Sequence, residues 1–418
     1  MKVFKFGGAS VNSVERIQNV ANILKSYNND QLVVIISAMG KTTNALEKVV
    51  EAFFRGEKDQ ALDLFNNIKQ QHLTTAKYLL LKNYNACYTQ LNDFFTEVEW
   101  LLYDKPVRSF DYYYDQVVCV GELISTAIVS HYLNEVGVNN QWLDVRDILR
   151  TDDNFRDATV DWQYTEQHIR STINDQRATI YLTQGFIGST DENESTTLGR
   201  EGSDYTAAIF ANLLNAESLS IWKDVEGVMS ADPKQFPEAT FISDLSFNEV
   251  IEMAYYGAQV IHPKTIKPLQ NKNIPLHVKC FLDAGLPGTT ISNKKVKNLP
   301  PIVVIKEKQV LMHLRSQDFS FVGEKPMSQL YEMFSKAKVK PNLVQTGAIS
   351  VQLCLDDHPE KIDQLAGEAS SIFDVELERG LTLLTIRHFN KELLEKMIAG
   401  KEQLLQQQRK STVQVLYR

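Results

Sequence analysis

The chain has 418 residues, of which 43% are apolar and 23% charged, with a formal net charge of −8. That length allows two or three domains around a large buried core, and the composition is that of an ordinary soluble globular protein. The acidic balance argues against nucleic acid and membrane surfaces as partners, since both need a basic footprint. An anionic substrate must therefore meet a local cluster of positive groups.

Four cysteines (Cys87, Cys119, Cys280, Cys354) lie far apart and form no CxxC or Cys/His pattern. They read as reduced thiols of a cytosolic protein. The opening MKVFKFGGASV lacks the apolar region of a signal peptide, and no stretch reaches the roughly 18 apolar residues of a membrane helix. A soluble, cytoplasmic protein is expected.

Val3–Phe6 reads as a short strand running into Gly7-Gly8, followed by helical periodicity at Val14, Ile17, Val20, Ala21 and Leu24. Leu32–Ile36 is a continuous apolar run, which suits a strand covered on both faces. Residues 44–104 read as long helices. Further buried strands are predicted at Gln116–Val120, Thr179–Thr183 and Ser218–Trp222. Strands alternating with helices imply an α/β domain with a mainly parallel sheet, whose ligands sit beyond the carboxyl ends of the strands.

The polar, basic run Asn293–Pro301 ends in two prolines and reads as a linker. The expected division is 1–293, a linker at 294–301, and 302–418. Beyond the linker come strand-like Gln309–Leu314, a helix near Ser328–Lys338, strand-like Ala348–Leu355, a helix near Pro359–Phe373 and strand-like Leu381–Ile386. That order resembles βαββαβ, a small ferredoxin-like sandwich. One more helix (Lys391–Gln408) and a strand (Thr412–Leu416) complete the reading.

Three turns carry chemistry. Lys5-Phe6-Gly7-Gly8 joins a strand to a helix, where glycine amides approach a phosphate closely and the helix N-terminus favours anions. A plain turn with a surface lysine reads the same residues equally well. Thr197–Asp204 (TLGREGSD) packs arginine, two glycines, a hydroxyl and a carboxylate before a helix at Tyr205–Leu214. Arg200 suits bidentate capture of a carboxylate, whereas Ser203 and Asp204 taken alone are ordinary helix-start residues. The third turn, Trp222–Met229, leads into Ser230–Lys234 and reads by composition as an ordinary loop with an Asp-Pro turn. Glu122, read alone, is a solvated helix charge. Gly40-Lys41-Thr42-Thr43 imitates the end of a P-loop, but the earlier glycine of that motif would fall at Ile35.

Together these pieces resemble the aspartokinase branch of the amino-acid kinase family. KFGGASV is similar to that family's KFGGTSV. VVIISAMGKTTNAL from Val33, VGELIST around Glu122, DVRDILRTDDNF from Asp144, TQGFIGS from Thr183, TTLGREGSDYTAA from Thr196, WKDVEGVMSADP from Trp222 and the run Phe236–Pro263 follow in the family's order. The tail resembles ACT domains, with one full unit at about 309–388 and a short second one.

The resemblance implies an amino-acid kinase fold, with ATP and Mg²⁺ as cofactors and L-aspartate as substrate. Lys5, Gly7, Gly8 and Ser10 would hold the ATP phosphates, and Lys223, Asp224, Met229, Lys234 and Gln259 would line the nucleotide pocket. Ser37, Thr43, Glu122, Arg200 and Ser203 would hold aspartate, with Glu122 toward its ammonium and Arg200 toward its α-carboxylate. Asp204 would orient Lys5. Mg²⁺ would be carried by the ATP phosphates, with no protein metal site. ACT units imply a homodimer or higher oligomer and an amino-acid effector, lysine or threonine. Three positions depart from the family's pattern: Glu201 stands where glycine is usual, Gln259 replaces a frequent lysine, and Met229 a frequent tyrosine. Two rival readings are a kinase of the same fold acting on glutamate, N-acetylglutamate, carbamate or a nucleotide, and a non-catalytic amino-acid sensor.

Overall fold

The computed structural model describes every residue except 28, 174–178 and 259, and Gln259 therefore lies outside the described residues. The chain forms two compact units. The first comprises residues 1–228, 241–251 and 260–296; the second comprises 229–240, 252–259 and 297–418.

In the first part of the chain the strands are β1 (Lys2–Phe6), β2 (Leu32–Ile36), β3 (Gln141–Leu143), β4 (Ile180–Gln184), β5 (Ile187–Ser189), β6 (Ser195–Thr197), β7 (Leu219–Lys223), β8 (Val228–Met229), β9 (Phe241–Ile242), β10 (Asp244–Ser246), β11 (Leu276–Cys280) and β12 (Thr289–Ser292). The helices are α1 (Val14–Lys25), α2 (Thr42–Phe54), α3 (Lys58–Leu79), α4 (Tyr84–Tyr103), α5 (Phe110–Glu135), α6 (Trp162–Ile173), α7 (Gly202–Leu213), α8 (Phe247–Tyr255) and α9 (Pro263–Lys272). Among the described residues, eight strands make one sheet in the order β10-β12-β11-β7-β1-β2-β4-β3. The six from β11 to β3 run parallel, and β12 turns back against β11. Strand β1 lies between β2 and β7, with Phe6 level with Ile36 and Trp222. The sheet's centre is sealed by aromatic packing: the Phe6 and Trp222 rings stack with centroids 5.8 Å apart.

The strand predicted at Gln116–Val120 is not a strand. These residues lie inside α5, a 26-residue helix buried on almost every side. A helix buried all round has no polar stripe, so its apolar run Val117-Val118-Cys119-Val120 shows no helical period. By length and composition α5 would suit a membrane span, yet 83% of its apolar window is buried inside the protein.

The second unit is built on β13 (Ile302–Ser316), β14 (Pro341–Thr346), β15 (Ser350–Asp356), β16 (Phe373–Arg387), β17 (Gln403–Gln408) and β18 (Thr412–Tyr417), with helices α10 (Glu324–Ala337), α11 (Pro359–Ala369) and α12 (Lys391–Ile398). Among the described residues its antiparallel sheet has the order β14-β15-β13-β16-β18-β17. A register shift between Lys306 and Gln309 divides the long pair β13–β16 in two. Past the shift, β13-α10-β14-β15-α11-β16 is a complete βαββαβ unit. Val310, Met312, Leu314, Leu353 and Phe373 form its core with Leu330, Phe334, Ile362 and Leu365 of the two helices. Before the shift, residues 302–306 pair with 383–387, and this half of β16 pairs onward with β18.

Two further expectations are corrected here. Lys391–Gln408 is not one helix: α12 stops at Ile398, Gly400 turns the chain with φ 73°, and Gln403–Gln408 forms edge strand β17. Leucine and glutamine favour helices intrinsically, but pairing with β18 overrides that preference. Strand β14 was not predicted, because Pro341 and Asn342 leave only Leu343 and Val344 as strand-like residues.

Candidate active site

The site lies in the first unit, where three neighbouring parallel strands end side by side. β1 delivers Gly7 and Gly8, β2 delivers Ser37, and β7 ends on Lys223 before Asp224. These corners are tied to one another: the Ser37 N–H donates to Phe6 O at 3.1 Å, and the Gly40 N–H to Gly8 O at 3.0 Å. A Cβ on Gly8 would stand 2.5 Å from Ala38 O, so only glycine allows the two loops to close on each other. The Ser125 hydroxyl of α5 donates to Ser37 O at 2.8 Å and fixes that loop from below.

From the other side comes the N-terminus of α7. Its close approach depends on Gly185, just past β4, where a Cβ would lie 2.6 Å from Ser203 Cβ. This brings Asp204 against Lys5: Nζ and Oδ1 are 2.6 Å apart, both side chains nearly buried. Burial alone would push the Asp204 carboxyl up, but Lys5 and Lys223 outweigh it and hold the group below its usual range. The Glu122 carboxyl behaves oppositely. Burial on α5 pushes it up to about 8, only partly offset by the Ala38 N–H and by Lys5, and its Oε2 has no hydrogen-bond partner among the described residues.

A cleft of about 460 Å³ opens between these elements. It is lined by Lys5, Gly7, Gly8, Ser10, Ser37, Thr43, Glu122, Ser203, Asp204, Lys223 and Asp224, so eleven of the residues singled out from sequence share one wall system. Asp224 is held by Arg16 of α1, which also lies over the Phe281 ring at 4.7 Å. Lys223 Nζ donates to Val260 O at 2.6 Å.

Other predicted residues are not in the lining. Arg200 is exposed, and its guanidinium makes no hydrogen bond or ion pair with the described residues. Met229 and Lys234 belong to the second unit.

The cleft also takes in residues that the sequence reading did not single out as ligands, among them Phe186 and Glu201. Both have left-handed backbones, with φ 73° and 55°. Non-glycine residues held there concentrate at functional sites. Glu201 caps α7 in that conformation, which gives the physical reason why glycine suits this position. Phe186 sits within TQGFIGS, and its N–H donates to Thr206 Oγ1 at 3.0 Å.

A lysine, glycine-loop amides and a helix N-terminus converging at the carboxyl ends of parallel strands define a phosphoryl-transfer site of the α/β kind. Comparison with known proteins specifies it further. A model of the amino acid kinase family matches residues 1–280. Over 414 residues the chain is 31% identical to the lysine-sensitive aspartokinase 3 of Escherichia coli K12, covering 96% of this chain and 89% of that one. The crystal structure of E. coli aspartokinase III with aspartate and ADP aligns with a TM-score of 0.84 at 28% identity, covering 100% of this chain and 96% of that chain. The same enzyme with lysine and aspartate aligns with a TM-score of 0.81 at 27% identity, covering 100% and 95%. The chain belongs to the amino acid kinase family and, within it, to the aspartokinases.

The Glu122 environment makes a prediction for the ligand-free protein. Its stability contribution is fully present below the unfolded-state value of 4.5 and is lost as pH rises toward about 8. At about 1.4 kcal/mol per unit, the loss across that window is of the order of a few kcal/mol. Glu122→Gln removes the titration, so the variant's thermal midpoint should match wild type near pH 4.5 and exceed it increasingly up to pH 8. Calorimetry across that range checks this.

Proposed function

We propose that this chain transfers the γ-phosphate of ATP to the β-carboxylate of L-aspartate, giving 4-phospho-L-aspartate and ADP, the step that opens lysine, threonine and methionine synthesis. The observation that carries the reading is the buried Lys5–Asp204 pair at the meeting point of the glycine corner and α7.

The substrate carboxylate is ionised at neutral pH, so the reaction requires no general base. What must be overcome is repulsion between two anions and the charge on the moving phosphoryl group. Lys5, held by Asp204, neutralises that charge, while the amides of Gly7, Gly8 and the Ser10 turn cradle the phosphates. Lys223 and Asp224 line the nucleotide end of the cleft, and Met229, Lys234 and Gln259 are assigned to it from sequence. Ser37, Thr43 and Ser203 hold the amino acid, with Glu122 toward its ammonium and Arg200 toward its α-carboxylate. An unpartnered guanidinium beside the cleft residue Glu201 is free to take a carboxylate.

Mg²⁺ is assigned to the ATP phosphates, where it supplies charge neutralisation. Of the four carboxylates in the cleft, the two aspartates are paired, Asp204 with Lys5 and Asp224 with Arg16, and Glu122 is assigned to the substrate ammonium. That commitment fits a metal held chiefly by phosphate oxygens.

Residues 302–418 are assigned as an ACT regulatory region that pairs two copies of the chain and takes lysine or threonine as effector. The complex of the E. coli enzyme with lysine supports lysine first.

Supplied with MgATP, the protein should convert L-aspartate to a product trapped by hydroxylamine, and leave glutamate, N-acetylglutamate, carbamate and UMP unreacted. Lys5→Ala should remain folded though less stable, since Asp204 loses its buried partner, and lose roughly 100- to 1,000-fold in turnover, as removal of a charge-stabilising donor does. Wild-type turnover in that variant would refute the assignment. Arg200→Ala should raise KM for aspartate roughly 10- to 100-fold with little change for ATP, consistent with loss of a charged hydrogen bond. Steady-state kinetics in both substrates checks it.

A further inference from the structure

The corner that bears Arg200 and Glu201 is anchored by side chains of α5. Strand β6 immediately precedes that corner. On one side it pairs with β5, Ile187 level with Thr197 and Ser189 with Ser195. On its other side two neighbouring residues of α5 bond its backbone. The Gln116 amide oxygen accepts the Ser195 N–H at 3.1 Å, and its Nε2 donates to Ser195 O at 2.8 Å. The Asp115 carboxylate accepts the Thr197 N–H at 2.8 Å and the Thr197 hydroxyl at 2.7 Å. Residues 195 and 197 present their backbone groups on the same edge of a strand, so these side chains do the bonding of a missing strand neighbour.

Asp115 also reaches a second loop. It accepts the N–H of Arg156 at 3.0 Å, and Arg156 has a left-handed backbone at φ 69°. That loop meets the substrate corner directly: a Cβ on Gly199 would lie 2.7 Å from Asp157 Oδ1 and 3.2 Å from Arg156 O. One fully buried carboxylate therefore ties together the two segments that fix the position of Gly199, the residue before Arg200. It lies seven residues before Glu122 on the same helix, two turns along one face. A single rigid element thus carries a cleft residue at one point and the anchor of the opposite wall at another. Burying a carboxylate costs folding free energy that an apolar residue would not, and its bonds go to these two loops.

We propose that Asp115, supported by Gln116, is a positioning residue for the amino-acid half of the cleft, setting the place of Arg200, Glu201 and Ser203 by bonding the backbone of β6. The proposal rests on the reading that this corner holds the amino-acid substrate. Asp115 itself touches no substrate and is not a catalytic residue.

The test compares Asp115→Ala, Asp115→Asn and Gln116→Ala in the full-length chain. Asp115→Ala should raise KM for aspartate roughly 10- to 100-fold, the penalty for a misplaced binding group, with KM for ATP changed less than about threefold. Hydrogen exchange at the Thr197 and Arg156 amides should speed up in the absence of any substrate. Asp115→Asn keeps a carbonyl for both backbone amides and an NH₂ for the Thr197 oxygen, and should restore KM to within about threefold of wild type. A merely structural role would lower the thermal midpoint and the active fraction while leaving KM alone. A wild-type KM in Asp115→Ala, or an Asp115→Asn as impaired as the alanine, would overturn the proposal. Should Asp115→Ala not fold, Gln116→Ala decides: a severalfold rise in KM for aspartate supports the clamp, and an unchanged KM refutes it. Absence of aspartate turnover in the wild-type protein would instead refute the substrate reading, leaving the exchange measurement to judge the clamp.

Discussion

An ammonium and a carboxylate taken out of water must meet if either is to stay charged, and the Lys5–Asp204 contact meets that condition at the centre of the cleft. Lys5 comes from the middle strand of the parallel sheet and Asp204 from the first turn of α7, segments that are 199 residues apart in the chain (204 − 5). The pair therefore ties the sheet to the helix whose N-terminus lines the cleft. On the proposed reading, it also leaves a lysine held in place on the path of the transferring phosphoryl group.

Much of the surrounding backbone exists to allow that approach. Gly8 closes the β1 loop on the β2 loop, and Gly185 lets α7 descend onto the end of β4. Phe186 and Glu201 carry left-handed conformations that cost free energy and point to function. At Glu201 the chain accepts both this strain and a negative charge beside Arg200, where a glycine would bring neither. Glu122 adds a buried carboxyl whose pKa burial pushes up to about 8, the kind of perturbed group that concentrates at functional sites.

The parallel sheet was legible because β1, β2, β4 and β7 are short apolar runs ending in glycine or polar turns. Its glycine corners, Lys5 and the TLGREGSD segment were legible because phosphate chemistry uses few residue types at fixed spacing. Helix α5 was misread in part because complete burial erases the amphipathic period that separates helices from strands. Strand β17 was missed because its Gln-Leu composition favours helix and only the neighbouring strand decides otherwise. The Asp115 anchor could not be read at all: residues 115 and 197 meet only through the folded sheet, and a lone aspartate among tyrosines and valines carries no local signal.

The central claim is that Asp204 serves the reaction by holding Lys5 beneath the transferring phosphate. Asp204→Asn, measured for turnover alongside calorimetric binding of ADP and aspartate, tests it most directly. The account predicts a folded protein that binds both ligands within a few-fold of wild type and turns over at least about 100-fold more slowly. Wild-type turnover with a neutral residue at 204 would contradict it.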